Sequence, residues 1–191
     1  MRKWKAVAAL AFSLALLMMV AVLAEHRRAD AATKSLTALD YIEIQQLVNR
    51  YGQAIDTCSN NGNDYADLYA PDGVFIDKFS DEGFQKGGLV RAKGHDMLAE
   101  IVWGGSRGCK DMPWNGWSHL MVDHVITPSP EGATGRCYLI MLDARGPNTV
   151  QRDGGYEDVY VKTAAGWRFK SRTHVRTRAW HAAVLQSPDL K

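Results

Sequence analysis

Cysteine is scarce. Cys58, Cys109 and Cys137 are the only three in 191 residues, and their spacing matches no zinc knuckle, so no metal site is expected. Catalytic fingerprints are missing as well: no G-x-S-x-G elbow, P-loop, dinucleotide glycine motif or H-E-x-x-H pair occurs. A serine or cysteine nucleophile therefore has no sequence support. An excess of one charge is lacking too. The chain holds 23 Lys+Arg against 21 Asp+Glu, but Arg2, Lys3 and Lys5 belong to the first five residues. Without them 20 basic residues face 21 acidic ones, which removes electrostatic support for gripping nucleic acid. No internal repeat or low-complexity segment is present.

What is there begins with a leader. After the basic start, residues 6–24 form an uncharged run rich in Ala, Leu, Met and Val. This order of positive, apolar and small residues is the one that export machinery reads. Val22-Leu23-Ala24 and Ala29-Asp30-Ala31 are two candidate cleavage sites. The run also approaches the ~18–20 residues that span a bilayer, so the expectation is an exported protein, periplasmic or secreted, either cleaved or anchored by residues 6–24. Any membrane contact would come only through an uncleaved leader. Residues 25–36 read as a linker, 37–180 as one domain and 181–191 as a tail. In an oxidising compartment one cysteine pair can bridge. Cys58, at a helix end, and Cys109, in a Gly-rich loop, are the expected partners.

The domain opens on a capping signature, Thr37 with Asp40. Tyr41, Ile44, Val48, Tyr51, Ile55 and Cys58 follow at intervals of three and four and predict one face of a helix. A short helix over 64–70 is expected to stop at Pro71-Asp72-Gly73, before a strand over 74–77. Residues 78–93 read as a loop with a short strand near Leu89, and 94–103 as a helix. Four long strands are expected over 119–127, 133–143, 156–163 and 167–177, with turns at 128–132 and 164–166. Helices first and an antiparallel meander afterwards means α+β, with helices on one face of a curved sheet.

Few side chains stand out as chemistry. His119 opens the first long strand. Strict alternation puts it on one face with Met121 and Asp123 and turns His124 away, which argues against a paired metal site. Asp56 lies near the C-terminal end of the first helix, where the macrodipole disfavours an acid, so it needs a compensating partner. The last strand alternates Arg168, Lys170, Arg172, His174, Arg176 and Arg178 with apolar and hydroxyl residues. Its simplest reading is a solvated cationic face or an edge available to a second copy.

Taken in order, Ile44-Gln45-Gln46-Leu47, Ala54-Ile55-Asp56, Tyr69-Ala70-Pro71-Asp72-Gly73-Val74-Phe75, Ser118-His119-Leu120, Gly155-Tyr156-Glu157-Asp158-Val159-Tyr160 and Gly166-Trp167-Arg168-Phe169 with Arg172 resemble SnoaL-like proteins of the nuclear transport factor 2-like superfamily. The likeness is nearest to the branch of scytalone dehydratase and hexachlorocyclohexane dehydrochlorinase. It implies a cone: a bent antiparallel sheet wrapped by three helices, with a ligand cavity in its mouth. It also implies a catalytic dyad of Asp56 and His119, with Arg172 holding the charge of a leaving group. The base takes a proton from carbon, which suits imidazole; the carboxylate fixes its tautomer; and a cation offsets charge developing in a water-poor site. No cofactor is needed. Alternation turns Arg172 away from Phe169, so either the cavity faces the polar side of the strand there or a bulge re-aims it. Tyr41, Tyr51, Trp103 and Trp117 are the expected substrate-binding residues, with Trp114 near the mouth. The dehydratases' second histidine has two candidates, His95 and His174. The expected activity is a cofactor-independent lyase or isomerase acting on a small hydrophobic cyclic compound. The alternative is a non-catalytic small-molecule-binding or dimerisation module, and a homodimer or homotrimer suits either.

Overall fold

The computed structural model describes residues 35–78, 80–113, 116–143 and 149–175. The leader, nearly all of the linker, Trp114, Arg176, Arg178 and the tail lie outside the described residues. No helix among the described residues is long and apolar enough to cross a membrane.

Helix α1 (Ala38–Thr57) starts at a complete capping box: Asp40 N–H donates to Thr37 Oγ1 at 3.2 Å, and Thr37 N–H donates to Asp40 Oδ2 at 2.9 Å. Its apolar stripe buries Ile44, Leu47, Val48, Tyr51 and Ile55, and Cys58 closes it in the left-handed region at φ 50°. Tyr41 is outside the stripe and exposed. Ten residues at about 100° each set it roughly 80° off Tyr51 around the helix, so i, i+3 counting alone carried it too far.

The remaining elements are α2 (Asn63–Ala66), β1 (Tyr69–Lys78), α3 (Asp81–Gln85), β2 (Leu89–Lys93), α4 (His95–Ile101), β3 (Trp117–Ser129), β4 (Gly132–Asp143), β5 (Thr149–Thr163) and β6 (Gly166–Val175). They build one six-stranded sheet in the order β2-β1-β6-β5-β4-β3. The α+β class expected from the order of elements is present. Four seams are antiparallel, while β1 and β6 pair in parallel. That pairing joins strands some hundred residues apart and had no local signal. Pro71-Asp72-Gly73 does not end a helix: it is the irregular stretch inside β1, between the pairs Tyr69–Phe169 and Val74–Ser171. The expected loop over 78–93 contains α3.

β6 is an interior strand and not an edge, and its cationic side reaches solvent at Arg168 and Lys170 only in part, whereas Arg172, Thr173, His174 and Val175 are all buried. The core lies between α1, α4 and the inner sheet face. Tyr51 packs edge-on to Tyr156 with centroids 5.3 Å apart, and Tyr69 lies 5.2 Å from Phe169. Such ring pairs contribute about 0.5–1.5 kcal/mol each beyond area burial. Cys58 and Cys109 are bridged, as expected, and Cys137 is a buried thiol that burial pushes up to about 11.

Candidate active site

The carboxylate disfavoured by its helix end finds its partner across the fold. His119 Nδ1 lies 2.5 Å from Asp56 Oδ1, and the His119 backbone N–H donates to Asp56 Oδ2 at 2.9 Å. A carboxylate only accepts, so Nδ1 carries the hydrogen and the basic lone pair of the neutral ring is on Nε2. Two donors from one residue lock the carboxylate in place. Helix and strand come this close because of Gly52, one turn before Asp56. A Cβ there would stand 2.6 Å from the His119 carbonyl oxygen and 2.9 Å from Met121 Cε.

His119 forms part of the wall of a cavity of about 410 Å³. Tyr51 and Ile55 come to it from α1, Phe75 from β1, Val102 and Trp103 from the turn after α4, Leu139 and Met141 from β4, Tyr156 from β5 and His174 from β6. Wall groups of this kind suit an apolar ring with a few directed polar contacts. Tyr51 O–H donates to Tyr156 O at 3.2 Å. Burial raises the pKa of both phenols, so they act as neutral donors.

Of the residues expected to bind substrate, Tyr51 and Trp103 line the cavity, whereas Tyr41 and Trp117 do not. Of the two spare histidines, His174 lines it; His95 is exposed and sits 3.1 Å from Asp67. His174 was hard to place because β6 does not keep a period of two. In the β5–β6 ladder Tyr160 pairs with Phe169 and Val159 with Ser171, so Lys170 is an extra residue. The same bulge returns Arg172 to the face of Phe169.

Arg172 nevertheless does not line the cavity, contrary to its expected place beside a leaving group. It is fully buried beneath the wall, its guanidinium carbon 3.8 Å from the ring centroids of both Tyr51 and Tyr156. Its Nε is 3.7 Å from Asp158 Oδ1. Burial works against its charge, but Asp158 and the surrounding rings hold its pKa above the usual arginine value. Burial pushes Asp158 up to about 6 against the pull of Arg172, and Tyr160 O–H donates to its Oδ2 at 2.8 Å. A second bulge lies in β3, where the register slips between Val122 and Val125 and Asp123 takes φ 53°. It reverses the expected alternation: Asp123 is exposed, while His124 turns toward the core with Nε2 3.0 Å from Tyr160 Oη. Burial, then Arg172, lowers His124 to about 4. No cluster of potential metal ligands occurs among the described residues.

A curved sheet closing an aromatic cavity is the frame of the nuclear transport factor 2-like, cystatin-like fold. The solved structures agree on the fold. A nuclear transport factor 2-like protein with a cystatin-like fold from Novosphingobium aromaticivorans is 21% identical, with a TM-score of 0.58 over 87% of this chain and 95% of its own. A protein of unknown function from Nostoc punctiforme is 22% identical, with a TM-score of 0.57 over 75% of this chain and 95% of its own. A candidate scytalone dehydratase from Novosphingobium aromaticivorans is 19% identical, with a TM-score of 0.53 over 71% and 82%. No curated protein matches in sequence. The chain belongs to the family of SnoaL-like domains, whose model matches residues 36–173.

Proposed function

We propose that this domain is a cofactor-independent lyase or isomerase that removes a proton from carbon on a small hydrophobic cyclic compound. One observation carries the reading: the imidazole in the wall of an aromatic cavity has its Nδ1 engaged by Asp56, which fixes Nε2 as the base. Asp56 then stabilises the imidazolium that forms. The neutral phenol of Tyr156, whose oxygen accepts from Tyr51, supplies a donor for an oxygen on which charge develops, with His174 in the same wall.

The test is exchange or elimination in deuterated buffer. Hydroxylated tetralones and chlorinated cyclohexanes are incubated with the full chain, and loss of the carbon-bound proton, water or chloride is followed by NMR. Turnover should fall at least about 100-fold in His119→Ala. Full turnover in that variant would refute the mechanism. Binding across the panel without any turnover would favour the second reading, a non-catalytic ligand carrier. That reading is supported by the position of Arg172, which is buried behind the wall and not beside the place expected for a departing anion.

Export is part of the proposal. It is supported by the composition of residues 1–24 and by a disulfide suited to an oxidising compartment; N-terminal sequencing of the exported fraction tests it. Assembly into two or three copies is supported by Leu120, Val125 and Tyr138, exposed on the outer face of β3 and β4, and light scattering tests it.

A further inference from the structure

Among the described residues, the cavity wall contains one permanently charged side chain, Arg91. A bulge puts it there. In the β1–β2 ladder Phe75 pairs with Ala92 and Ile76 with Val90, so Arg91 is the extra residue of β2. Ala92 is buried on the inner face, and plain alternation would turn Arg91 outward together with Lys93. The bulge turns it inward, and Arg91 Nε lies 3.7 Å from Oδ2 of the buried Asp77. Asp77 is itself held by the Ser80 backbone N–H, which donates to Oδ1 at 3.1 Å. At that distance the contact is an ion pair and not a hydrogen bond, and the guanidinium carries its two Nη groups as a planar fork. This fork stands half-exposed at the rim, on a cavity that is otherwise aromatic, aliphatic or imidazole.

From this geometry, and resting on the reading that this cavity is the substrate site, we propose that its ligand is a cyclic carboxylate. The carboxylate pairs with Arg91 at the rim, the ring lies against Phe75, Leu139 and Met141, and the reactive carbon faces His119. A singly charged, planar group matches the fork and its one charge. A phosphate dianion would need more cation than an arginine already shared with Asp77 provides.

Calorimetry on the full chain tests this with three pairs of probes: 2-naphthoate, benzoate and cyclohexanecarboxylate, each beside its neutral carboxamide. At least one carboxylate should bind roughly 10- to 100-fold more tightly than its amide, the range of a hydrogen bond to a charged group. The preference should vanish in Arg91→Gln, persist in part in Arg91→Lys and shrink in high salt. If no carboxylate beats its amide tenfold, or if Arg91→Gln keeps the preference, the proposal is overturned. Should Arg91→Gln fail to fold, Arg91→Lys and the salt series on the wild type decide it. Carboxylate preference without proton exchange would sink the lyase and leave this inference standing; exchange without the preference would do the reverse.

Discussion

Replacing Gly52 with alanine sets two effects of opposite sign against each other. In an isolated helix the change is favourable by about 0.8–1.0 kcal/mol, because glycine costs backbone entropy. In this fold the added Cβ would meet the His119 carbonyl oxygen at 2.6 Å, while ordinary contact begins at 3.4 Å. Met121 Cε can swing aside, but the strand backbone cannot, so α1 and β3 must part by roughly 0.8 Å. Such overpacking costs about 1–3 kcal/mol. The same movement stretches the 2.9 Å bond from the His119 N–H to Asp56 beyond useful length and loosens a charge-assisted bond of about 1.5–3 kcal/mol. The net expectation is a loss of about 1–3 kcal/mol, or some 3–10 °C in Tm for a domain of this size. Turnover by the displaced dyad should fall about 100-fold. Thermal melts followed by circular dichroism, paired with the NMR exchange assay, read both quantities. A Gly52→Ala protein that melts higher than wild type and exchanges protons at the wild-type rate would show that the close approach is not what sets the dyad.

Asp158→Asn keeps the shape and the Tyr160 bond but leaves Arg172 buried without its counterion, so urea unfolding should show a loss of about 3–5 kcal/mol; a loss below about 1 kcal/mol would mean that the rings alone hold the guanidinium. His124 is depressed to about 4 when folded, so the unfolded chain binds the extra proton first and folding is penalised as pH falls from 6.5 toward 4. Wild type should therefore lose stability relative to His124→Gln across that window, measured by urea midpoints, and parallel curves would refute the assignment. Cys58→Ser with Cys109→Ser opens a loop with a sequence separation of 51, worth about 4 kcal/mol by chain entropy; an unchanged Tm in the double variant would contradict that figure.

Much of the fold was legible because its signals are local. The capping pair and the apolar spacing mark α1 on the page, and the Ala164–Ala165 turn and the long alternating runs mark the meander. The Asp56–His119 pairing was legible only through the family likeness: an acid at a helix C-terminus needs a compensating partner, but no local pattern says which residue supplies it. What escaped was everything that depends on register. A period of two fails at one inserted residue, and it fails at Arg91, at Asp123 and at Lys170. Those slips hid the inward turn of Arg91 and of His124 and the burial of Arg172 and His174. The parallel β1–β6 seam escaped because no short stretch encodes a contact between distant strands.

The bulges also explain why the two arginines divide their work. Lys170 is left over so that Arg172 can return to the inner face, but the space it reaches is already walled by Tyr51, Tyr156 and Phe169. Its charge is spent on Asp158 and on ring faces, and it acts on the cavity only by holding those two tyrosines. Arg91 comes from the other side of β1, on an edge strand where the sheet ends and solvent begins, so its bulge delivers a guanidinium to the rim rather than to the core. A cation at the rim cannot easily neutralise charge at the carbon beside His119, deeper in the wall, but it can fix where a ligand's own charge rests. The donor in the wall with the dyad's histidine is then the neutral phenol of Tyr156. Neutral donors of this kind suit charge building on an oxygen bonded to the reacting ring better than a departing halide. Under the proposed function, loss of water beside a carbonyl therefore suits the site better than loss of halide. Exchange at a ketone's α-carbon should accordingly be faster than chloride release in the same preparation, and the opposite order would return the leaving group to the centre of the mechanism.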